Sequence, residues 1–174
     1  MTERVPRVNE HKSHEGFEPT MEKYIEFLKE DQRAMRSGEW NYKDPNWALN
    51  QWKDLFESRN DEDLSPEGQQ SKWNVLWLWY HHASQFAAKN GDLQNALLFI
   101  DKALVFKEKL GLDNHITLLL KQLYLGDIAG AKKIAESIPA KKVVNTTSGP
   151  EEVDNQEKKS ANELIAYYEA RSEH

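Results

Sequence analysis

Apolar residues in this chain recur at a spacing of three to four, the pattern of amphipathic helices. Met21, Tyr24, Ile25, Leu28 and Met35 fall on one face of a helix predicted over 20–36, with Thr20 as cap and Ser37-Gly38 as stop. Asp44-Pro45 opens a second helix, because Asp accepts orphan N–H groups and Pro has its φ preset at the first helical position. Trp47, Ala48, Trp52, Leu55 and Phe56 follow on one face, and the helix is predicted to end near Arg59, before an acidic turn at 60–64. Ser65-Pro66-Glu67 repeats the capping logic and opens a third helix that reaches Lys89. Its main stripe is Trp73, Leu76, Trp77, Tyr80, Ala83, Ser84 and Ala87, and Val75, Leu78, Trp79 and Phe86 lie largely off it. A helix apolar on most sides is buried on most sides, which puts 73–87 at the centre of the fold.

Asn90-Gly91-Asp92 breaks the chain, and a fourth helix follows over 92–110, with Gly111 suited to a left-handed C-cap. Asp113 caps a fifth helix running to Leu125, Gly126-Asp127 breaks it, and a sixth covers 128–138 before Pro139. No segment shows the strict alternation of a half-buried strand. The expected organisation is a flexible arm at 1–19, a helical domain at 20–139, a linker at 140–156 rich in Lys, Asn, Thr, Ser and acids, and a C-terminal helix within 157–174.

Two stretches superimpose. One is Asn90-Gly91-Asp92-Leu93 with Ala96, Ile100 and Ala103; the other is Leu125-Gly126-Asp127-Ile128 with Ala131, Ala135 and Ile138. The two glycines are 35 residues apart. Glycine permits a tight reversal, and the small residues after it let the second helix approach the first. One such hairpin cannot bury its own apolar face, so hairpins stack. Units at about 77–110 and 112–139 resemble the tetratricopeptide repeat, whose period is about 34 residues. The match runs through Tyr80, Ala83, Ser84, Ala87, Gly91, Ala96, Ile100 and Ala103, then His115, Leu118, Leu119, Gln122, Gly126, Ala131, Ala135 and Ile138. Glu108 stands where the family often has Pro, and His115 and Gln122 replace aromatics. The resemblance implies an all-α fold of stacked antiparallel helical hairpins, six to seven helices in all. It also implies an inner groove lined by the first helix of each unit, where family members hold peptides or partner helices. The partner-binding residues it implies here are His81, Gln85, Lys89, Ile116, Leu120 and Tyr124.

Composition narrows the chemistry. Hydrophobic residues are 39% of the chain and charged residues 30%, a globular balance. The net charge is -6, and no long Lys/Arg run supplies the basic face a duplex binder needs, so nucleic acid is disfavoured. The chain has no cysteine, which removes disulfides, thiolate metal sites and a Cys nucleophile. The most apolar run, 75–80, is too short to span a bilayer, which needs about 20 residues. With no signal-like apolar segment near the start, a cytoplasmic location is expected.

No Gly-rich phosphate loop, Ser elbow or metal-protease motif is present. His81 and His82 are adjacent and point about 100° apart on a helix, so they do not share a metal. Asp61-Glu62-Asp63 lacks the Gly and closing Glu of a calcium loop. No catalytic residue, cofactor or metal is therefore expected. The expected function is a protein-interaction module, an adaptor or regulator that binds a partner peptide or helix, with a homodimer as a further possibility. The alternatives are a small inhibitor or immunity-type protein, and an enzyme assembled from His81, His82, His115 and acids such as Asp113. The mark of the enzyme would be a pocket where those side chains converge.

Overall fold

A computed structural model describes residues 53–172. The arm expected at 1–19, the helix expected at 20–36 and the part up to residue 52 of the helix expected from Asp44 to near Arg59, together with Trp40, Trp47 and Trp52, lie outside the described residues. The described chain is all-α apart from one small antiparallel sheet. A helical segment at 53–57 leads to a 3-10 turn, Asp61–Asp63. Five longer helices follow: α1 Pro66–Lys89, α2 Leu93–Leu110, α3 His115–Tyr124, α4 Ile128–Ser137 and α5 Gln156–Ser172. Two strands, β1 Lys141–Thr146 and β2 Gly149–Asp154, stand between α4 and α5. No helix among the described residues is long and apolar enough to cross a membrane.

Local chemistry places most helix ends. Ser65 accepts from the Gly68 N–H with Pro66 at the first helical position, so α1 starts where its sequence predicts. Gly111 closes α2 in the left-handed region at φ 63°. Asp113 falls short of the cap expected of it. Asn114 holds the N-cap position of α3, and Asp113 Oδ1 accepts from the His115 N–H at 3.0 Å.

The two glycine-aspartate reversals share one geometry. Gly91 has φ 81° and Gly126 φ 77°, a region that a side chain resists. Asp92 (φ -87°, ψ 72°) and Asp127 (φ -86°, ψ 75°) each cap the next helix, accepting from Asn95 N–H at 3.2 Å and Gly130 N–H at 2.8 Å. The Asp92 N–H reaches Ala87 O and the Asp127 N–H reaches Gln122 O, both at 2.9 Å. The 35-residue offset read from sequence is therefore also a backbone repeat.

α1 and α2 run antiparallel, with contacts ordered from one end to the other. Lys109 lies over the Trp73 ring, Lys107 over Trp77, Phe106 stacks on Tyr80, and Ala87 and Ala96 share a core cluster. Three clusters form the interior. Leu55, Phe56, Val75, Leu76, Tyr80 and Ala103 make one, so the 53–57 segment belongs to the same core as α1 and α2. Ala87, Ala96, Ile100, Leu120 and Tyr124 join α1, α2 and α3. Leu119, Leu123, Ala131, Ala135 and Ile138 close against Ala161 and Ile165 of α5. The C-terminal helix thus packs in cis, antiparallel to α4, with Lys158 donating to Ala135 O and Lys132 paired to Glu169 at 2.5 Å.

Asp61 ties the acidic turn to both helices of the first hairpin. It receives Lys72 at 2.7 Å, Lys109 at 2.9 Å and Trp73 Nε1 at 3.1 Å. Desolvation pushes its carboxyl up, and these hydrogen bonds outweigh that, holding it well below the usual carboxylate range. Trp73, Trp77 and Trp79, expected in the core, are half-buried, and each carries a lysine on its ring: Lys109, Lys107 and Lys53.

The segment 140–156, expected as a linker, instead carries the β-hairpin. Lys141 pairs with Asp154 and Thr146 with Gly149, around a two-residue turn in which Thr146 Oγ1 donates to Gly149 O at 2.8 Å. Its residues are nearly all exposed on both faces, with only Val144, Gly149 and Val153 half-buried. Two wet faces leave no apolar alternation to read. At its base the Asn155 N–H donates to Ala140 O at 2.9 Å, and Asn155 Oδ1 accepts from the Glu157 N–H at 3.1 Å, starting α5. Replacing Asn155 with Ala is expected to cost about 1 kcal/mol, the ordinary worth of a cap, read as a lower denaturation midpoint at unchanged slope.

Candidate binding groove

Helices α1, α3 and α5 run side by side on one face of the stack, while α2 and α4 back them. Two adjoining cavities open between the three front helices. The larger, about 810 Å³, is walled by Trp77 and His81 of α1, Ile116 of α3, Leu164 and Tyr167 of α5, and the turn residues Leu112 and Asp113. The smaller, about 570 Å³, lies toward the Gly91 reversal, between Lys89, Leu120, Leu164 and Arg171. Gln85 and Tyr167 border both. Apolar walls with a few polar groups are what small-ligand and peptide sites share.

Of the residues expected to bind a partner, His81, Gln85 and Ile116 wall the larger cavity, and Gln85, Lys89 and Leu120 the smaller. Leu120 forms a floor, 1% exposed. Tyr124 does not face the groove. It is buried, its hydroxyl 3.3 Å from Ser84 Oγ, and burial pushes that hydroxyl up to about 12 against the Ser84 hydrogen bond. Its position one turn beyond Leu120 looks inward toward α1 because the closing α5 brings Tyr168 over it.

The larger cavity has unusual polar chemistry. Trp77 Nε1 and His81 Nδ1 are both buried without a hydrogen-bond partner. Gln85 Nε2 stands 3.2 Å from His81 Nε2, and a side-chain amide donor there leaves the ring proton on Nδ1. Burial, then the neighbouring His82 and Lys107, lower the His81 pKa to about 4, so the ring is neutral at pH 7. Two N–H donors are thus buried behind the cavity wall, closed to solvent, with nothing to receive them. Lys107 lies 4.1 Å above the Trp77 ring and donates to Asp113 O at 3.0 Å. Burial pushes its ammonium pKa down, opposed by Glu157 and Asp113.

Neither α5 nor its residues Glu157, Leu164, Tyr167 and Arg171 was expected at the groove. Only the weak apolar spacing of Leu164, Ile165, Tyr167 and Tyr168 hinted that this helix has a face to bury. Of the alternative His/acid set, His81 and Asp113 wall the larger cavity, His115 stands beside Asp113, and His82 is exposed. Comparison with family models, curated proteins and solved structures finds no match to this chain.

Proposed function

We propose that the chain is a tetratricopeptide-type interaction module, an adaptor or regulator in the cytoplasm, that holds an extended peptide of a partner protein in the groove between α1, α3 and α5. The observation that carries this reading is the groove itself, two adjoining cavities of about 810 and 570 Å³ with largely apolar walls between three helices. Trp77 Nε1 and His81 Nδ1 lie unpartnered behind its wall; a buried polar group without a partner costs about 1–3 kcal/mol, so a ligand whose entry turns them toward its acceptors recovers that cost. An extended peptide offers free backbone carbonyls, whereas a helix has already spent its own. This favours an extended segment over a docked helix. The repeat of the two reversals, 35 residues apart, supports the family reading.

The smaller cavity adds polarity. Lys89 and Arg171 border it and no carboxylate does. The peptide would therefore place an acidic side chain or its C-terminal carboxylate there, with apolar residues over Leu112, Leu164 and Tyr167. The module would act by binding alone, without catalytic chemistry or a cofactor.

A displayed library of extended peptides tests the proposal. Selected peptides should carry apolar residues next to an acidic group. Leu112→Asp and Tyr167→Ala, at side chains that are about half exposed, should each weaken them at least tenfold, by roughly 1.4 kcal/mol or more. Phe86→Ala, on an exposed residue outside both cavities, should leave binding unchanged. Peptides whose affinity ignores both groove substitutions would overturn the reading.

A further inference from the structure

Where α3 begins, three potential metal ligands from two distant stretches of chain meet. We infer that Asp113, His115 and Glu157 form a binding site for a divalent transition ion of the zinc class, which clamps α5 to the start of α3. One ligand atom from each residue lies within 4.8 Å of the other two. His115 Nδ1 is 2.6 Å from Asp113 Oδ1 and 4.0 Å from Glu157 Oε1. Ligands around a tetrahedral zinc ion, at bond lengths of about 2.0–2.2 Å, lie about 3.3 Å from one another. The spread observed here brackets that value, so small side-chain rotations bring all three onto one ion.

The imidazole supplies a second, independent observation. Its Nδ1 is buried and has no hydrogen-bond partner, although Asp113 Oδ1 is only 2.6 Å away. The carboxylate sits off the direction an N–H would need. If Nδ1 carries a proton, that proton is misdirected; if it does not, its lone pair faces a carboxylate. A cation between them resolves both cases.

Backbone hydrogen bonds anchor the Asp113 carboxylate and the helical turn that carries Glu157. Asp113 Oδ1 is anchored by the His115 N–H at 3.0 Å, and the first turn of α5 is set by the Asn155 cap on Glu157 N–H. Lys107 is the competing cation nearby, but its ammonium is engaged by Asp113 O and the Trp77 ring. One nitrogen and two oxygens suit Zn²⁺ or Co²⁺ and disfavour Mg²⁺ and Ca²⁺, which take all-oxygen sets. Three protein ligands leave a fourth position for water on the side of the larger cavity, which Asp113 and Glu157 also border.

The test uses the full chain with His11, His14 and His174 replaced by alanine, so that no histidine near a terminus contributes. Isothermal titration with Zn²⁺ should give one saturable site per chain, and Co²⁺ should give the visible absorption of a four-coordinate ion. His115→Ala and the nearly isosteric Glu157→Gln should each weaken Zn²⁺ at least tenfold. Both variants should keep the helical circular dichroism of the parent and lose the zinc-dependent rise in melting temperature. Absence of saturable binding up to millimolar Zn²⁺, or unchanged affinity in either variant, would overturn the site. Peptide binding in the groove is measured separately, so either result stands without the other.

Discussion

Replacing Phe56 with alanine should destabilise the protein by about 4 kcal/mol. Phe56 is 0% exposed and packs with Leu55, Val75, Leu76, Tyr80 and Ala103. Truncating a buried aromatic removes its transfer free energy and leaves a cavity, and the close-packed surroundings relax only in part. The size of the loss decides a structural point as well. Residues 53–57 precede the first hairpin, and Phe56, beside Leu55, is the larger of the two side chains through which they join its core. Urea unfolding should show a lower midpoint at the same slope, with one transition. A loss below about 1 kcal/mol would mean that 53–57 only lies on the surface of α1 and α2. Phe86→Ala provides the contrast, since that ring is 71% exposed and its loss should change stability by under about 0.5 kcal/mol.

Acidification should destabilise the fold through His81. Its folded pKa is near 4 and its unfolded value near 6.5, so the unfolded chain binds the extra proton between those values. The neutral ring therefore contributes stability that is fully present above about pH 6.5 and is lost as pH falls toward 4. A difference of this size corresponds to about 3 kcal/mol between pH 7 and pH 4. The groups around the ring set the direction. Burial disfavours the charged form, and His82 and Lys107 add like charge; Asp113 and Glu157 line the same cavity. His81→Phe keeps a ring of similar size without a proton to gain. Stability measured at pH 7 and pH 4.5 should fall more in the parent than in the variant, by about 2 kcal/mol. Equal falls in the two proteins would show that His81 already accepts a proton in the folded state.

The candidate groove was half legible before the fold was known. His81, Gln85, Lys89, Ile116 and Leu120 follow from laying the helices over a repeat in which the first helix of each unit faces inward. All five border the cavities. Tyr124 lies away from them because a residue's outlook at the end of α3 depends on what covers that end. Here α5 does, and it presses Tyr168 against the ring. The third wall was hidden for the same reason. α5 has only a short apolar face, and the segment before it reads as a linker because its strands bury almost nothing. Val75 and Phe86 make the point within one helix. Both lie off the main stripe of α1. Val75 is fully buried because Leu55 and Phe56 cover it, and Phe86 is exposed.

The sequence by itself determined the helices and their reversals. Ser65, Asp92, Gly111, Gly126 and Asp127 act on backbone groups within a few residues, so their hydrogen bonds and positive φ values need no distant partner. Tertiary structure alone decided which residues off those stripes are buried, that 140–156 pairs into strands, and that Glu157 meets Asp113 and His115 across more than forty residues. Those outcomes depend on close packing and convergence between remote segments, and residue spacing along one helix carries no information about either.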